Sequence, residues 1–410
     1  MANASDDPAI PTRPGPARTQ APKPEPQAHT PQTLQTSQSR ELLTLPDELL
    51  INIMSQLPLQ RDLASMCLVS RRMNSVADPV LYKSILFDQP KHHLLFSESL
   101  VTRPRRGSLI QNVRVDFPSA EMADILCLTD TPHPIDRFSH TISTMSNLED
   151  LVISVPESLS HGIGNLFNGP FDLACLKTCS LYYQREDNGY WDLQENIHIF
   201  GHPTLEHLTI RRAKLDERGF ESLEKPWYTG LKTLSLLDCD IHDDALADLL
   251  VLPEALEEIT ITQLSDPEPA LEESPEYMED YILSCRSAGH SLQKITIDSP
   301  SLAGKNPLKL RDFECLTELK MRDHQLFGMK TPRLQSVALP PNLERVAFIG
   351  GVGRDEEVCE LLCYTIENKD IFARKWVDLV VTGVQGEAGD GVAERIREVC
   401  EPFEGFLKIQ

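Results

Sequence analysis

Residues 231–250 read LKTLSLLDCDIHDDALADLL. Leu231, Leu234 and Leu236 form a Leu-x-x-Leu-x-Leu pattern whose second half alternates with period two, the spacing of a short strand. Cys239 stands where the strand must turn, and Ile241, Asp243 and Leu246 lead into a helix. A strand and a returning helix in about twenty residues cannot bury their apolar faces alone, so such a unit has to stack on copies of itself.

The copies are present. The same pattern opens LEDLVI at Leu148, LKTCSL at Leu176, LEHLTI at Leu205, LEEITI at Leu256, LQKITI at Leu292, LTELKM at Leu316 and LERVAF at Leu343. Weaker versions flank them, IQNVRV at Ile110 and WVDLVV at Trp376. Spacings between the eight clear anchors are 28, 29, 26, 25, 36, 24 and 27 residues, the period of leucine-rich repeats. The 231–250 unit closely resembles the cysteine-containing subclass of those repeats, which implies that Cys239 is a buried turn residue. Helical spacing also marks SPEYMEDYILSCRSAG and DEEVCELLCYTIENK. The expected fold class is therefore α/β: a three-helix N-terminal segment, then an irregular leucine-rich-repeat solenoid over 87–410. Its parallel strands are expected on the concave face and its helices on the convex one. The long spacing contains DPEPALEESPEYMED, residues 266–280, with seven acidic residues and three prolines. It reads as a solvated loop, or as an acidic docking loop.

A chain of 410 residues is too long for one compact core, and an array resolves that difficulty because each unit buries its face on the next. The net charge of −23 repels phosphate backbones and anionic lipid, so no nucleic acid and no membrane partner is expected. Ten scattered cysteines and the absence of a secretory signal point to a reduced cytoplasmic and/or nuclear protein. Residues 1–40 hold eight prolines and few apolar groups, which predicts a disordered tail.

Composition changes at Glu41. In LPDELLINIMSQLP, Leu49, Leu50, Ile53, Met54 and Leu57 follow one helical face, with Thr44 placed to cap it and Pro46 suited to its first turn. A second helix is expected in QRDLASMCLVS, with Leu63, Met66, Cys67 and Leu68 inward, and a third from Ser70 through RRMNSVADPVLYKSI. Three such helices carry more apolar surface than they can hide among themselves.

The segment Leu42 to Ile85 resembles the F-box. The resemblance rests on Leu45-Pro46, Glu48-Leu49-Leu50, Ile53, Leu57, Asp62-Leu63, Leu68-Val69-Ser70-Arg71 and Leu81-Tyr82. One departure is Met73, where many members carry an aromatic residue. Membership implies an F-box over 41–86 that packs on the Skp-type adaptor of a cullin–RING (SCF-type) ubiquitin ligase, the rest of the chain presenting a protein substrate. Leu45, Pro46, Leu49, Leu50, Ile53, Leu57, Leu63, Leu68 and Val69 are the adaptor contacts this implies. The other reading of these helices is an N-terminal seal on a repeat scaffold unconnected to ubiquitin.

Alternate residues of each repeat strand face outward. The fifth positions are Val152, Ser180, Thr209, Ser235, Thr260, Thr296, Lys320 and Ala347, five of them hydroxyl-bearing. With the seventh-position Arg211 and Arg322 and the third-position Arg345, the face holds cations suited to an acidic or phosphorylated segment. Thr209, Arg211, Lys320, Arg322 and Arg345 are thus the candidate substrate contacts.

Motifs of catalysis and of cofactor or metal binding are missing. There is no GxxxxGK[ST], HExxH, GxSxG or CxxC, and Gly350-Gly351-Val352-Gly353 reads as a turn. Cys175/Cys179 and Cys359/Cys363 read as core cysteines and His92-His93 as a surface pair. No cofactor and no catalytic residue is expected, and a GTPase-activating role has no site in the sequence. The implied contribution is proximity: holding a substrate near a ubiquitin-charged enzyme.

Overall fold

The computed structural model describes residues 44–117, 141–157, 173–218, 228–329, 338–352, 355–382 and 389–409. The tail expected over 1–40 lies outside them. The chain divides into two compact units at Ile53/Met54.

Helix α1 spans Asp47–Met54, almost wholly in the first unit. Pro46, expected in its first turn, stands just before it, and its carbonyl accepts the first helical bonds from the Leu49 and Leu50 amides, both at 3.2 Å. Of the expected apolar face only Leu50 and Met54 are buried; Leu49 and Ile53 are exposed, as is Ile51 beside them.

In the second unit α2 (Gln60–Cys67) and α3 (Arg71–Lys83) precede a twelve-stranded parallel sheet. The Ser70 hydroxyl accepts from the Met73 amide at 3.1 Å, capping α3 as Ser residues commonly do. Met73 itself is buried, so a flexible thioether fills that interior position.

Ten of the strands begin at the third residue of the units read from sequence: β2 (Asn112–Asp116), β3 (Asp150–Pro156), β4 (Thr178–Gln184), β6 (His207–Arg211), β8 (Thr233–Leu237), β10 (Glu258–Thr262), β11 (Lys294–Asp298), β12 (Glu318–Met321), β13 (Arg345–Phe348) and β14 (Asp378–Val381). They pair in chain order, third position against third position. The reason is visible in the backbone. The amides of each unit's second and third residues both bond to one carbonyl of the unit before, as Lys177 and Thr178 do to Glu149 at 2.8 and 3.0 Å. The same fork recurs at Lys232/Thr233 on Glu206 and at Val377/Asp378 on Glu344. The anchor leucines and the fourth- and sixth-position side chains are buried, forming one continuous core with the linking segments.

Between β4 and β10 the chain also makes a second, three-stranded sheet from β5 (Trp191–Asp192), β7 (Ala213–Leu215) and β9 (Asp240–Ile241). Arg212 and Asp238, at the same position of their units, take left-handed backbone with φ of 51° and 53°, turning the chain from the large sheet into the small one. Buried side chains then tie the turns together. The Gln263 amide donates to the Cys239 carbonyl at 3.0 Å and accepts from the Ser299 hydroxyl, and the Gln325 amide donates to the Ser299 carbonyl at 2.7 Å. Buried backbone acceptors at these turns are thereby satisfied. Cys239 is buried, and burial pushes its thiol up to about 12.

The linking helices include α4 (Pro90–Thr102), α5 (Asp243–Leu250), α6 (Met278–Cys285), α7 (Asp323–Phe327) and α8 (Glu356–Glu367). The helical spacing of residues 274–289 and 355–369 thus corresponds to α6 and α8. Cys359 and Cys363 are buried on α8, as Cys179 is in β4. Cys175, by contrast, is exposed.

Two strands escaped the repeat pattern. β1 (Ser84–Phe87) pairs with β2, and β15 (Leu407–Ile409) pairs with β14. β1 spans the boundary expected at residue 86: the sheet starts at Ser84, directly after α3 with no connecting residue. α2 and α3 therefore belong to the same compact unit as the sheet.

Arg106, in a 3₁₀ turn over Pro104–Leu109, fastens this junction. Its Nη2 donates to Asp78 Oδ1 at 2.8 Å, and its guanidinium lies 4.3 Å from the centre of the Tyr82 ring. Both charged partners are largely covered by protein. Arg106→Ala is expected to cost about 2 kcal/mol in urea unfolding, from the charge-assisted bond and the ring contact together. Amide exchange should quicken over residues 71–87; unchanged exchange there would show that the contact holds nothing in place.

Candidate protein-interaction surfaces

α1 to α3 present apolar side chains to water in an uneven way. Leu68 and Val69, at the turn between α2 and α3, are 87% and 63% exposed, and Leu49 and Ile53 are 48% and 45% exposed. Pro46 is exposed, and Leu45 and Leu57 are partly covered. Leu50 and Leu63, also expected to meet a partner, are buried inside the chain and have no surface to offer. Leu68 was expected inward. A side chain at the last turn of α2 points off the end of the helix, so the helical period that placed it no longer applies.

On the open face of the sheet, the strand burial patterns place the fifth-position residues outward, half covered by their neighbours across the strands. Ala347 alone among them is buried. The candidate cations stand differently from expectation. Arg345 lies 3.1 Å from Asp378 and 3.6 Å from Glu318, and Arg322 lies 3.1 Å from Asp298. Lys294 approaches Glu258 at 3.9 Å, and Lys408 reaches Asp378 at 2.8 Å. These are cross-strand ladders of alternating sign, which set the register of neighbouring units. The second positions continue the theme, with Lys177–Glu149 at 3.2 Å and Lys232–Glu206 at 2.7 Å lining a shallow groove of about 530 Å³. Arg322 and Arg345, two of the candidate substrate contacts, are thereby paired within the sheet.

Arg211 and Lys320 remain. Neither has a carboxylate partner among the described residues. Arg211 is exposed, its guanidinium 5.1 Å from the centre of the Tyr182 ring on the adjacent strand. Thr209, two residues before it, is half-buried between Ser180 and Ser235.

Residues 42–88 are F-box-like. No curated protein matches the chain. F-box domains typically bind Skp-type adaptors, and Leu68 and Val69 are the most exposed large apolar side chains among the described residues of the F-box-like region. The matched segment extends past α3 to take in β1, so family and sheet share four residues, Ser84–Phe87. The sequence predicts a surface pair, His92 and His93, just beyond it. His92 is exposed, 2.8 Å from Asp88, but His93 is buried with its ring beside Phe87 and Phe117.

The acidic segment 266–280 is not a free loop. Asp240, 1% exposed, accepts the backbone amides of Glu272, Glu273 and Ser274 at 2.8, 3.2 and 2.7 Å. Tyr281 donates to the Ile241 carbonyl at 3.1 Å, and Arg212 Nη2 to the Glu268 carbonyl at 2.8 Å. No sequence signal separated Asp240 from the acids around it.

At the other end of the sheet Asp378 binds β15 through Lys408. That contact holds its carboxyl below the usual carboxylate range, with Arg345 assisting and desolvation opposing. A depressed pKa in the folded state contributes stability that is complete above the unfolded value of about 3.9 and is lost as the pH falls below it. Protection of β14 and β15 against exchange is therefore expected to drop below about pH 4. Lys408→Met should flatten that dependence; an unchanged pH profile would remove the pair from the account.

Proposed function

We propose that this chain is a non-catalytic substrate receptor of an SCF-type cullin–RING ubiquitin ligase. The F-box-like region takes a Skp-type adaptor and, through it, a cullin, while the sheet, read as an irregular leucine-rich-repeat solenoid, holds a protein substrate on its open face. The observation that carries this reading is the exposure of Leu68 and Val69 within a segment that matches the F-box-like family. Large apolar side chains held in water at the end of a short helix make sense as anchors for a partner. The solenoid reading draws on the in-register units, their shared backbone fork and the buried turn Cys239. Ubiquitin transfer itself belongs to other subunits, and this chain contributes proximity.

The direct run of α3 into β1 favours a second reading, in which the helices only seal the array. A seal, however, gives no reason for Leu68 and Val69 to face water. The deciding experiment mixes the full chain with a recombinant Skp-type adaptor and measures mass across a size-exclusion peak. A one-to-one complex supports the receptor; two separate peaks end the ubiquitin reading and leave the sealed scaffold.

A further inference from the structure

The pairing of charges on the open face decides which cations are available to a partner. Among the third, fifth and seventh positions, Lys294, Arg322 and Arg345 are each held by a carboxylate on a neighbouring strand. Among the described residues Arg211 and Lys320 have no such partner, in a chain whose net charge is −23. An arginine without a carboxylate in so acidic a protein is positive charge that the fold has left unspent. Arg211 is also shaped for contact: its guanidinium lies over the Tyr182 ring, and Leu237 lies opposite it on the next strand. Tyrosine, arginine and an apolar neighbour in one register are the composition of an interface anchor.

Between the two cations runs a track of small hydroxyl residues. From β6 to β12 the fifth positions are Thr209, Ser235, Thr260 and Thr296, directly in register, ending on Lys320. Hydroxyls of this kind bond to a backbone without demanding a particular side chain. Strands about 4.8 Å apart, with three intervening between β6 and β12, separate Arg211 from Lys320 by roughly 20 Å, a distance that an extended peptide covers in about six residues.

We propose that the open face binds an extended polypeptide segment carrying two carboxylate side chains five or six residues apart, one on Arg211 and one on Lys320. This rests on the reading of the open face as the substrate surface and names the chemistry of what lies there. Carboxylate is favoured over phosphate because each free cation stands alone. Phosphorylated segments are taken by clusters of arginines, and the arginines that could have formed one, Arg322 and Arg345, are bound to Asp298, Glu318 and Asp378.

The test selects binders from a displayed library of random dodecapeptides on the immobilised full chain, then measures synthetic winners by fluorescence polarisation. The expected winners carry Asp or Glu at i and i+5 or i+6, bind less tightly as salt is raised, and weaken about ten-fold in either Arg211→Gln or Lys320→Gln. Moving the two acids together by three residues should weaken them as much as one of those substitutions. Winners that lack the acidic pair, bind both variants like the wild type or need phosphorylation overturn the proposal, as does a library that yields none. Circular dichroism and adaptor co-elution of the variants separate a misfolded sheet from a lost contact. Acid-pair binding by a chain that fails to bind the adaptor would sink the ligase reading and leave this surface standing.

Discussion

Replacing Leu68 and Val69 together with aspartate is expected to abolish the complex with a Skp-type adaptor while leaving the chain folded. The two conditions follow from the same observation. Side chains 87% and 63% exposed contribute little to the fold, so their replacement should move the unfolding midpoint hardly at all. At an interface they would be desolvated anchors, and removing two of them while introducing two charges costs about 4 kcal/mol or more, roughly a thousand-fold in affinity. Leu63→Asp is the contrasting variant: Leu63 is buried, so a charge there should unfold α2 and lose binding through the fold. Retention of the complex by the Leu68/Val69 variant would show that these side chains are not the adaptor contacts.

The second large effect is expected at Asp240. Its carboxylate accepts three amides from the acidic segment, all drawn from consecutive residues. Alanine would leave those amides without their acceptor in a part-buried turn, at a cost of about 3 kcal/mol, while asparagine keeps one oxygen and should lose about half as much in the same bonds. The signature is local. Exchange and proteolysis over residues 266–280 should rise in Asp240→Ala well before the sheet is affected. A uniform loss of protection across the chain, or no loss, would contradict the assignment.

Most of the sheet could be read from the anchors, because a buried leucine and a period-two strand are both properties of local sequence. β1 could not: Ser84-Ile85-Leu86-Phe87 has no anchor leucine and continues a helical run, and only pairing with β2 makes it a strand. β15 is three residues long and is likewise defined by its neighbour. In the helices, composition showed surplus apolar surface but not its owners. Leu50 and Leu63 went inside while Leu68 stayed out, since the rotation of a short helix is settled by packing. The paired cations were nearer to hand. Written in register, Glu318, Arg345 and Asp378 stand on successive strands, and opposite charges across a ladder attract. Asp240 lay beyond reach because its partners are backbone amides more than thirty residues away.

The passage from α3 to β1 without a single connecting residue has a mechanical meaning. A structure with no wrist cannot swivel, so whatever grips the turn at Leu68 and Val69 also sets the compass bearing of the sheet. A passenger lying along the strands would then owe its freedom to sweep through space to its own slack, and the carrier would lend it none. Reach, in such an arrangement, is a property of the cargo.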